Sequence, residues 1–364
     1  MAPPSASEGW SRKSVDGEAK LEAHNIYVNQ KRALPADLDL HIKNTIRRAR
    51  ETTPSASRIA EKAPRAAATG EQAAIDLIAP DILFRGTADG GSEALITSLP
   101  KLNLHPKYLP LADAVVVEDT GSLSQAQPDT AIGYVRCRDA SRAKVEAPLT
   151  PEQERTIIKD PLTALLHFPF LTAQWKGYTG SEGHYHASLQ GARDSTCIVN
   201  SLYELYESTR HIPSTVDTCH FSVTSNMDTA KLWVHWRENK DNAAPQHYME
   251  CIHQAFLEPI EDTMAILESF RKRLRNILDY ATGPRLVSIR HAIDALQKKK
   301  ETETATRVPS VPSSSSSKAR SRGASQSSDR RRQAHMPPPS PPASQSAPQR
   351  KRARTEDLDD VERQ

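Results

Sequence analysis

One apolar segment, Phe168 to Trp175, constrains the fold of this chain more than any other. It reads FPFLTAQW, and Thr172 is the only interruption before Gln174. A run of this length, rich in aromatic and aliphatic residues, is typical of a strand buried in a sheet. Because side chains alternate along a strand, Gln174 and Lys176 are predicted to share one face. The segment therefore predicts a central strand that brings two polar side chains to one place.

A second strand is predicted over residues 131–135, with Asp129 at its head. In the sequence QPDTAIGYV, Pro128 occupies a position where a strand accepts a proline. An acid on one strand and a polar-x-Lys pattern on the next is how phosphodiesterases hold a divalent metal beside a basic side chain. Magnesium prefers oxygen ligands, a bound metal lowers the pKa of water, and a lysine stabilises charge that develops on phosphate. The two strands predict a candidate magnesium site, in which Gln174 stands where a second acid is expected.

Apolar periodicity and turn residues predict the remaining elements and an α/β class. Two helices are predicted to begin near Pro35 and near Gly70. Four others are predicted over residues 149–166, His186–Ser208, His247–Tyr280 and 286–296. The other predicted strands cover Ala112–Val117, Asp217–Thr224 and Lys231–Trp236. Thr69 is the predicted cap of the helix at Gly70. Residues 52–69, rich in Ser, Ala, Pro and Arg, are predicted to form a linker or surface loop.

Composition predicts that only part of the chain folds. The hydrophobic fraction is 37%, which is low for a fully globular chain, and proline and serine are plentiful. We predict a disordered arm over residues 1–20 and a helical extension with a linker over residues 21–59. An α/β domain is predicted over residues 60–299, followed by a disordered basic, Ser- and Pro-rich tail over residues 300–364.

Cysteine spacing and hydropathy favour a soluble intracellular protein. Cys137, Cys197, Cys219 and Cys251 have no C-x-x-C spacing, so they are predicted to be reduced thiols rather than disulfides or zinc ligands. No apolar run approaches the roughly 20 residues of a membrane helix. The first residues also lack the apolar region of a secretory signal. We therefore expect no membrane partner.

A basic cluster near the end of the chain predicts nuclear import. Arg350, Lys351, Arg352 and Arg354 lie in the predicted disordered tail, and Arg330 to Arg332 add to the basic character. A short Lys/Arg run of this kind is typical of a nuclear localisation signal. The expected location is the nucleus and the expected partner is the import machinery. A nonspecific polybasic tail is the alternative.

Three other groups have both a functional and a structural interpretation. His184 and His186 could bind zinc, but they lack paired-ligand spacing. Trp233 and Trp236 could stack on bases, although alternation along a strand favours burial of one face. The basic stretch over residues 271–275 could contact phosphates, although a charged helix face is usually only solvated. The structural interpretation is favoured in each case.

The order of the elements resembles the restriction-endonuclease-like fold of PD-(D/E)XK nucleases. The resemblance rests on a helix, strands, a Pro-Asp strand, a polar-x-Lys strand, a long helix and a further strand. It implies that a helix acid and two strand positions bind magnesium and that the lysine lies beside the attacking water. In this sequence the helix acid is Glu71, the two strand positions are Asp129 and Gln174, and the lysine is Lys176. Gln190 is a further candidate, because it and Asp194 are spaced i, i+4 on the following helix and can face the same site.

The stretch from about Asn25 to Leu296 is similar to a fungal domain of unknown function. The phrases PFLTAQWK, ARDSTCIVN, VDTCHFSV and LWVHWRE carry this resemblance. Members of that family commonly have glutamate at the position of Gln174. The resemblance covers about three quarters of the chain, and it implies a fold and an ancestry without an established activity.

The expected fold is therefore a restriction-endonuclease-like mixed sheet flanked by helices, with disordered N- and C-terminal extensions. The protein is expected to be nuclear and to engage nucleic acid. If it is an enzyme, the expected activity is weak magnesium-dependent phosphodiester hydrolysis. The alternative is a non-catalytic interaction or scaffold protein on a degenerate nuclease fold. Whether the protein is an enzyme, and whether it would act on DNA or RNA, stays open from the sequence.

Overall fold

A seven-stranded mixed sheet forms the centre of the part of the chain that the structure describes. It is seen in a computed structural model that describes residues 16–84, 95–112, 114–157, 161–178, 183–209, 212–241, 243–258 and 263–307. The strands are β1 (Ile26–Val28), β2 (Ile96–Pro100), β3 (Thr130–Tyr134), β4 (His167–Trp175), β5 (His220–Ser225), β6 (Thr229–Glu238) and β7 (Gln246–Phe256). Their order across the sheet is β1-β7-β6-β5-β4-β3-β2. The predicted α/β class and mixed sheet are confirmed.

Helices flank this sheet. The α-helices in the described residues are α1 (Glu18–Ala23), α2 (Ala36–His41), α3 (Ser57–Ala67), α4 (Glu71–Ile82), α5 (Ala114–Thr120), α6 (Cys137–Ala143), α7 (Pro151–Ile157), α8 (His184–Ser208), α9 (Thr215–Thr218), α10 (Met264–Tyr280) and α11 (Leu286–Arg307). Short π-helical segments follow α2, over Ile42–Ile46, and α10, over Ala281–Arg285. None of the described helices combines the length and apolar character needed to cross a membrane.

The connection between β4 and β5 places the longest helix against the sheet. Strands β2, β3 and β4 form an antiparallel meander, whereas β4 and β5 are parallel. Because parallel strands need a crossover, the chain passes through α8, which contacts β4, β5 and β6. Small and apolar residues fill most of α8, so the helix lies almost entirely within the core. This unit brings the ends of β3 and β4 beside the first half of α8.

The strand predicted from FPFLTAQW is confirmed as β4. Phe170, Leu171, Ala173 and Trp175 are almost completely buried, and the indole of Trp175 donates a hydrogen bond to Thr130 Oγ1 across the sheet, at 3.0 Å. Burial of several large apolar side chains on both faces stabilises the strand at its central position.

A register shift within β3 depends on a glycine. The shift lies between Ile132 and Tyr134. A Cβ atom on Gly133 would lie 2.6 Å from Leu166 Cδ1 and 2.7 Å from the carbonyl oxygen of His167. The absence of a side chain therefore allows the backbones of β3 and β4 to approach each other here.

The predicted strand over Ala112–Val117 is wrong, because this segment contains helix α5. Val115 is 67% exposed there, so the valine run has no strand partner to pack against. The edge strand is instead β2, which pairs with β3 from Ile96 to Pro100. Valine favours strands only where a pleated, half-buried surface is available.

The predicted long helix over His247–Tyr280 is wrong in its first part. Residues Gln246–Phe256 form β7, an inner strand paired with β6 on one side and β1 on the other. Among the described residues of this range, Met264–Tyr280 are helical, as α10. The apolar residues of HYMECIHQAF fit the spacing of a helix as well as that of a strand. Pairing with a neighbouring strand on both edges favours the strand.

The predicted linker over residues 52–69 is also wrong in part. Helix α3 occupies Ser57–Ala67 and buries Ile59 and Ala66 against the core. Gly70, rather than Thr69, is the N-cap of α4, and the Thr69 hydroxyl donates to the Ala66 carbonyl at 3.1 Å. Good helix formers in this stretch outweigh its Ser and Pro content.

The basic stretch over residues 271–275 is not simply a solvated face. Arg271 and Arg275 are both largely buried, and their guanidinium carbons lie 4.4 and 5.9 Å from the ring centre of Phe84. An arginine that stacks on an aromatic ring buries its stem while keeping its charge stabilised.

Helices extend into both predicted terminal regions. Helix α1 begins at Glu18, inside the arm predicted over residues 1–20, and α11 continues to Arg307, beyond the predicted boundary at 299. Within the predicted helical extension, Ile26–Val28 form an edge strand of the main sheet. The basic residues 350–354 lie outside the described residues.

Candidate functional site

The predicted site residues Asp129 and Glu71 meet at the end of β4. Asp129 directly precedes β3, and its Oδ2 accepts a hydrogen bond from the Trp175 backbone N–H at 3.0 Å. Glu71 is the first residue of α4, and its Oε2 accepts from the Gly177 N–H at 2.9 Å. A Cβ on Gly177 would lie 3.4 Å from Glu71 Cβ, so the N-terminus of α4 packs closely against the chain that leaves β4. The two carboxylates therefore bind backbone N–H groups of the same segment, at Trp175 and Gly177.

Lys176 lies between Trp175 and Gly177, the two residues whose N–H groups bind these acids, and is within electrostatic range of Asp129. Its backbone N–H donates to the Ser225 carbonyl at 2.8 Å, which continues the β4–β5 ladder by one residue. Burial raises the pKa of Asp129, and the Glu71 carboxylate adds to this, whereas the Trp175 N–H, Lys176 and Lys101 lower it. The structure thus brings together two carboxylates and two lysines, of which Lys101 was not predicted.

Gln174 points to a different partner. Its side chain is 2% exposed, and its Nε2 donates to Asp194 Oδ2 on α8 at 2.5 Å. Asp194 is fully buried, and its Oδ1 accepts from Arg193 Nε and Nη2 at 3.0 and 2.9 Å and from the Gln127 N–H at 3.0 Å. An amide at position 174 therefore suits its neighbour, because a carboxylate there would face the carboxylate of Asp194.

The charge of Asp194 belongs to a buried network that sequence reasoning missed. Arg193 contacts Asp194 and also donates to Asp16 Oδ2 at 3.3 Å. Asp16 is buried, accepts from the Ser124 N–H at 2.9 Å and lies 3.0 Å from Lys20 Nζ. Two acids and two cations thus balance in the interior. The adjacent Arg-Asp pair, within a helix of small and apolar residues, was the available sequence signal.

Burial and hydrogen bonding have opposite effects on Asp194. Burial raises the pKa of its carboxyl group, while Arg193 and the Gln127 N–H lower it. Four hydrogen bonds to its two oxygens leave few lone pairs for another ligand. Asp194 therefore supports the site from behind, by fixing Gln174 and the chain at Gln127 that leads into β3, rather than facing a ligand.

The other candidate residues lie outside this network. Gln190 is half-buried on α8, one turn before Asp194. His184 is engaged by Thr224 and Thr229, at 3.2 and 2.8 Å, and Trp233 and Trp236 are buried, as the structural interpretation predicts. The four cysteines are free thiols. A cavity of about 640 Å³ lies elsewhere, with Arg32, Tyr203 and Arg237 among its lining residues.

The arrangement is chemically suited to a divalent cation only in part. Asp129 and Glu71 supply carboxylate oxygens, and Gln174 can add an uncharged amide oxygen. Within the described part of the chain, no group of three or more His, Cys, Asp or Glu residues is placed to hold a metal ion. Any magnesium at this position would therefore depend on two anionic ligands.

Comparison with known proteins assigns a family. None of the curated proteins matches the chain. A family model described as Domain of unknown function (DUF7924) matches residues 75–293, which is more than half of the chain. The match includes Asp129, Gln174 and Lys176 and begins four residues after Glu71. The chain therefore belongs to the DUF7924 family.

Proposed function

We propose that this protein engages nucleic acid through a nuclease-like site formed by Asp129, Glu71 and Lys176. The observation that carries the proposal is the convergence of these three side chains where β3 begins and β4 ends. The succession α4, β2, β3, β4, α8 and β5 supports the finer assignment to a restriction-endonuclease-like fold, since this is the order of elements in that superfamily.

The proposed chemistry is weak, magnesium-dependent phosphodiester hydrolysis. When bound, magnesium would polarise the phosphate and supply an activated water. Asp129 and Glu71 would hold the ion, and Lys176 would balance negative charge on the phosphate. Gln174 adds no charge, and its amide N–H already binds Asp194, so the ion would be held weakly.

A non-catalytic interaction protein is the second candidate. The specific observation in its favour is the hydrogen bond between Gln174 and Asp194. Residue 174, where nucleases of this superfamily have their second acid, is here a member of the buried network. In this case the two lysines beside Asp129 would bind a phosphate backbone without cleaving it. Binding of nucleic acid would then persist without a metal.

The decisive experiment measures cleavage and binding of labelled DNA and RNA oligonucleotides by the full chain in magnesium or manganese. We expect slow cleavage by the native protein and none by Asp129→Asn, because the substitution removes one of only two metal-binding carboxylates. Binding without metal-dependent cleavage would select the non-catalytic alternative. If neither cleavage nor binding of any oligonucleotide occurs, the proposed function is wrong.

Two controls show whether a loss of activity is local. Since burial raises the folded-state pKa of Asp129 above its ordinary value of 3.8, ionisation of this carboxyl group disfavours folding as the pH rises through that range. Asp129→Asn should therefore be more stable than the native protein at pH 7, and the difference should vanish below pH 3.8.

Gln174→Glu should unfold more easily in EDTA, because its charge meets Asp194, and should regain stability with magnesium. Gln190→Glu, one turn from Asp194, is the matched control.

We also propose nuclear import through Arg350, Lys351, Arg352 and Arg354. A fluorescent fusion in which these four residues are replaced by alanine should lose most of its nuclear signal, because import receptors recognise clustered basic side chains. The same replacement of Arg330 to Arg332 is the control, with a smaller expected loss. An unchanged nuclear signal in the first variant would place the import signal elsewhere.

A further inference from the structure

Arg285 is a buried cation for which the described residues supply no hydrogen-bond acceptor. It is the last residue of the π-helical segment between α10 and α11 and is 1% exposed. Its Nε, Nη1 and Nη2 atoms are all unpartnered among the described residues. A guanidinium group does not deprotonate in proteins, and an uncompensated buried charge is strongly destabilising. The charge therefore requires a compensating group.

The surrounding polar groups are close but are used elsewhere. Tyr134, Tyr206, Tyr280 and Cys219 all lie within electrostatic range of Arg285. The Tyr134 hydroxyl donates to the Ala281 carbonyl at 2.6 Å, the Tyr280 hydroxyl donates to the Val216 carbonyl at 3.3 Å, and the Tyr206 hydroxyl pairs with Ser288 at 2.8 Å. The three tyrosine hydroxyl groups are thus engaged with other partners, and the guanidinium nitrogens have no hydrogen-bond partner among the described residues.

Asp217, a carboxylate that acts electrostatically on Tyr206, Tyr280 and Cys219, is also committed. Asp217 accepts hydrogen bonds from the Ser214 N–H and hydroxyl, at 3.1 and 2.7 Å, and from the Ser288 hydroxyl at 3.1 Å. It caps the short helix α9 rather than pairing with Arg285. Within the described residues, no carboxylate is hydrogen-bonded to the guanidinium nitrogens of Arg285.

His41 adds a second unpartnered nitrogen to the same region. Its ring packs on Tyr280, with centroids 4.4 Å apart, and its Nε2 atom is buried without a partner among the described residues. Burial and, after it, the charge of Arg285 lower the pKa of His41 to about 4. At neutral pH its ring is therefore uncharged and can present an N–H.

We propose that Arg285 binds a small monovalent anion of chloride size, with the guanidinium as the main ligand and His41 as a neutral donor. Water molecules could satisfy the N–H groups but would leave the charge uncompensated, whereas an anion does both. A small ion is required because the arginine is only 1% exposed. The bound anion would link β3, α8 and α10 through the side chains around it.

Thermal unfolding of the full chain tests this proposal in sodium chloride and in sodium gluconate, at equal ionic strength and pH. Gluconate is too large for the site, so we expect chloride to raise the Tm of the native protein by about 3 °C or more. Arg285→Met should abolish this dependence. The matched control is Arg290→Met, which removes a cation that donates to the Pro148 carbonyl at 2.7 Å and should retain the chloride response.

Equal Tm values of the native protein in the two salts would overturn the proposal, as would a chloride response that persists in Arg285→Met. Should Arg285→Met fail to fold, crystals of the native protein grown in bromide decide the question. We expect an anomalous scattering peak within hydrogen-bond distance of the guanidinium. Density for water alone at that position would contradict the proposed anion.

Discussion

Asp194→Ala is expected to lower the free energy of unfolding by about 3–5 kcal/mol, the range for breaking a buried ion pair from one side. The substitution leaves the buried guanidinium of Arg193 with only the longer contact to Asp16. It also removes the acceptor for the Gln174 amide and the Gln127 N–H. Each group left without a partner adds a desolvation penalty. Urea unfolding followed by circular dichroism measures the loss.

Glu207→Ala is the matched control for this substitution, because Glu207 is an exposed acid on the same helix. Its expected effect is within about 0.5 kcal/mol. If the stability of Asp194→Ala lies within about 1 kcal/mol of the native protein, the buried network does not hold α8 to the strand ends as described. Asp194→Asn should fall between the two, since it retains acceptors but loses the charge.

Gly133→Ala is expected to destabilise the protein by about 3 kcal/mol, near the upper end for overpacking a core. The added Cβ would lie 2.7 Å from the His167 carbonyl oxygen and 3.1 Å from Pro169 Cα. These are backbone atoms of the central strand, so relief requires β3 and β4 to move apart rather than a side chain to rotate. The midpoint of urea unfolding should fall accordingly.

Gly191→Ala provides a control of opposite sign. Gly191 lies inside α8, and a Cβ there would meet its nearest neighbours at 3.8 Å, an ordinary contact distance. Alanine in a helix interior is favoured over glycine by about 1 kcal/mol, so this variant should be as stable as the native protein or more so. A loss for Gly191→Ala equal to that for Gly133→Ala would contradict the geometric explanation.

Sequence patterns predicted the central unit because its elements have strong local signals. The aromatic run of β4 and the long apolar stripe of α8 specify their structure within a few residues of sequence. For β7 the apolar residues suit both a helix and a strand, and only pairing with β1 and β6 decides between them. For α5 the valine run predicts a strand, but no neighbouring strand is available to it.

The candidate site shows the same limit. Side-chain alternation and the Pro-Asp position predicted that Asp129 and Lys176 lie near one another, whereas Glu71 was expected there from the resemblance to PD-(D/E)XK nucleases. The i, i+4 spacing on α8 predicted that Asp194 can face this site, but its hydrogen bond to Gln174 was not predicted, because it depends on how α8 packs across the sheet. The contact between Asp16 and Arg193 is even harder to predict from the sequence, since it joins residues far apart in the chain with no shared local pattern.

The position of β1 at the edge of the sheet has a consequence for folding during synthesis. Ile26–Val28 pair in parallel with His247–Met249, residues that the ribosome makes more than two hundred positions later. Strand β1 must therefore wait for β7, the last strand of this sheet along the chain, before it can form its ladder, and contacts of such long separation form slowly. Once β7 is made, its edge stays open to other chains until β1 pairs with it. The period just after synthesis is consequently when this protein is most exposed to misassembly with another copy of itself.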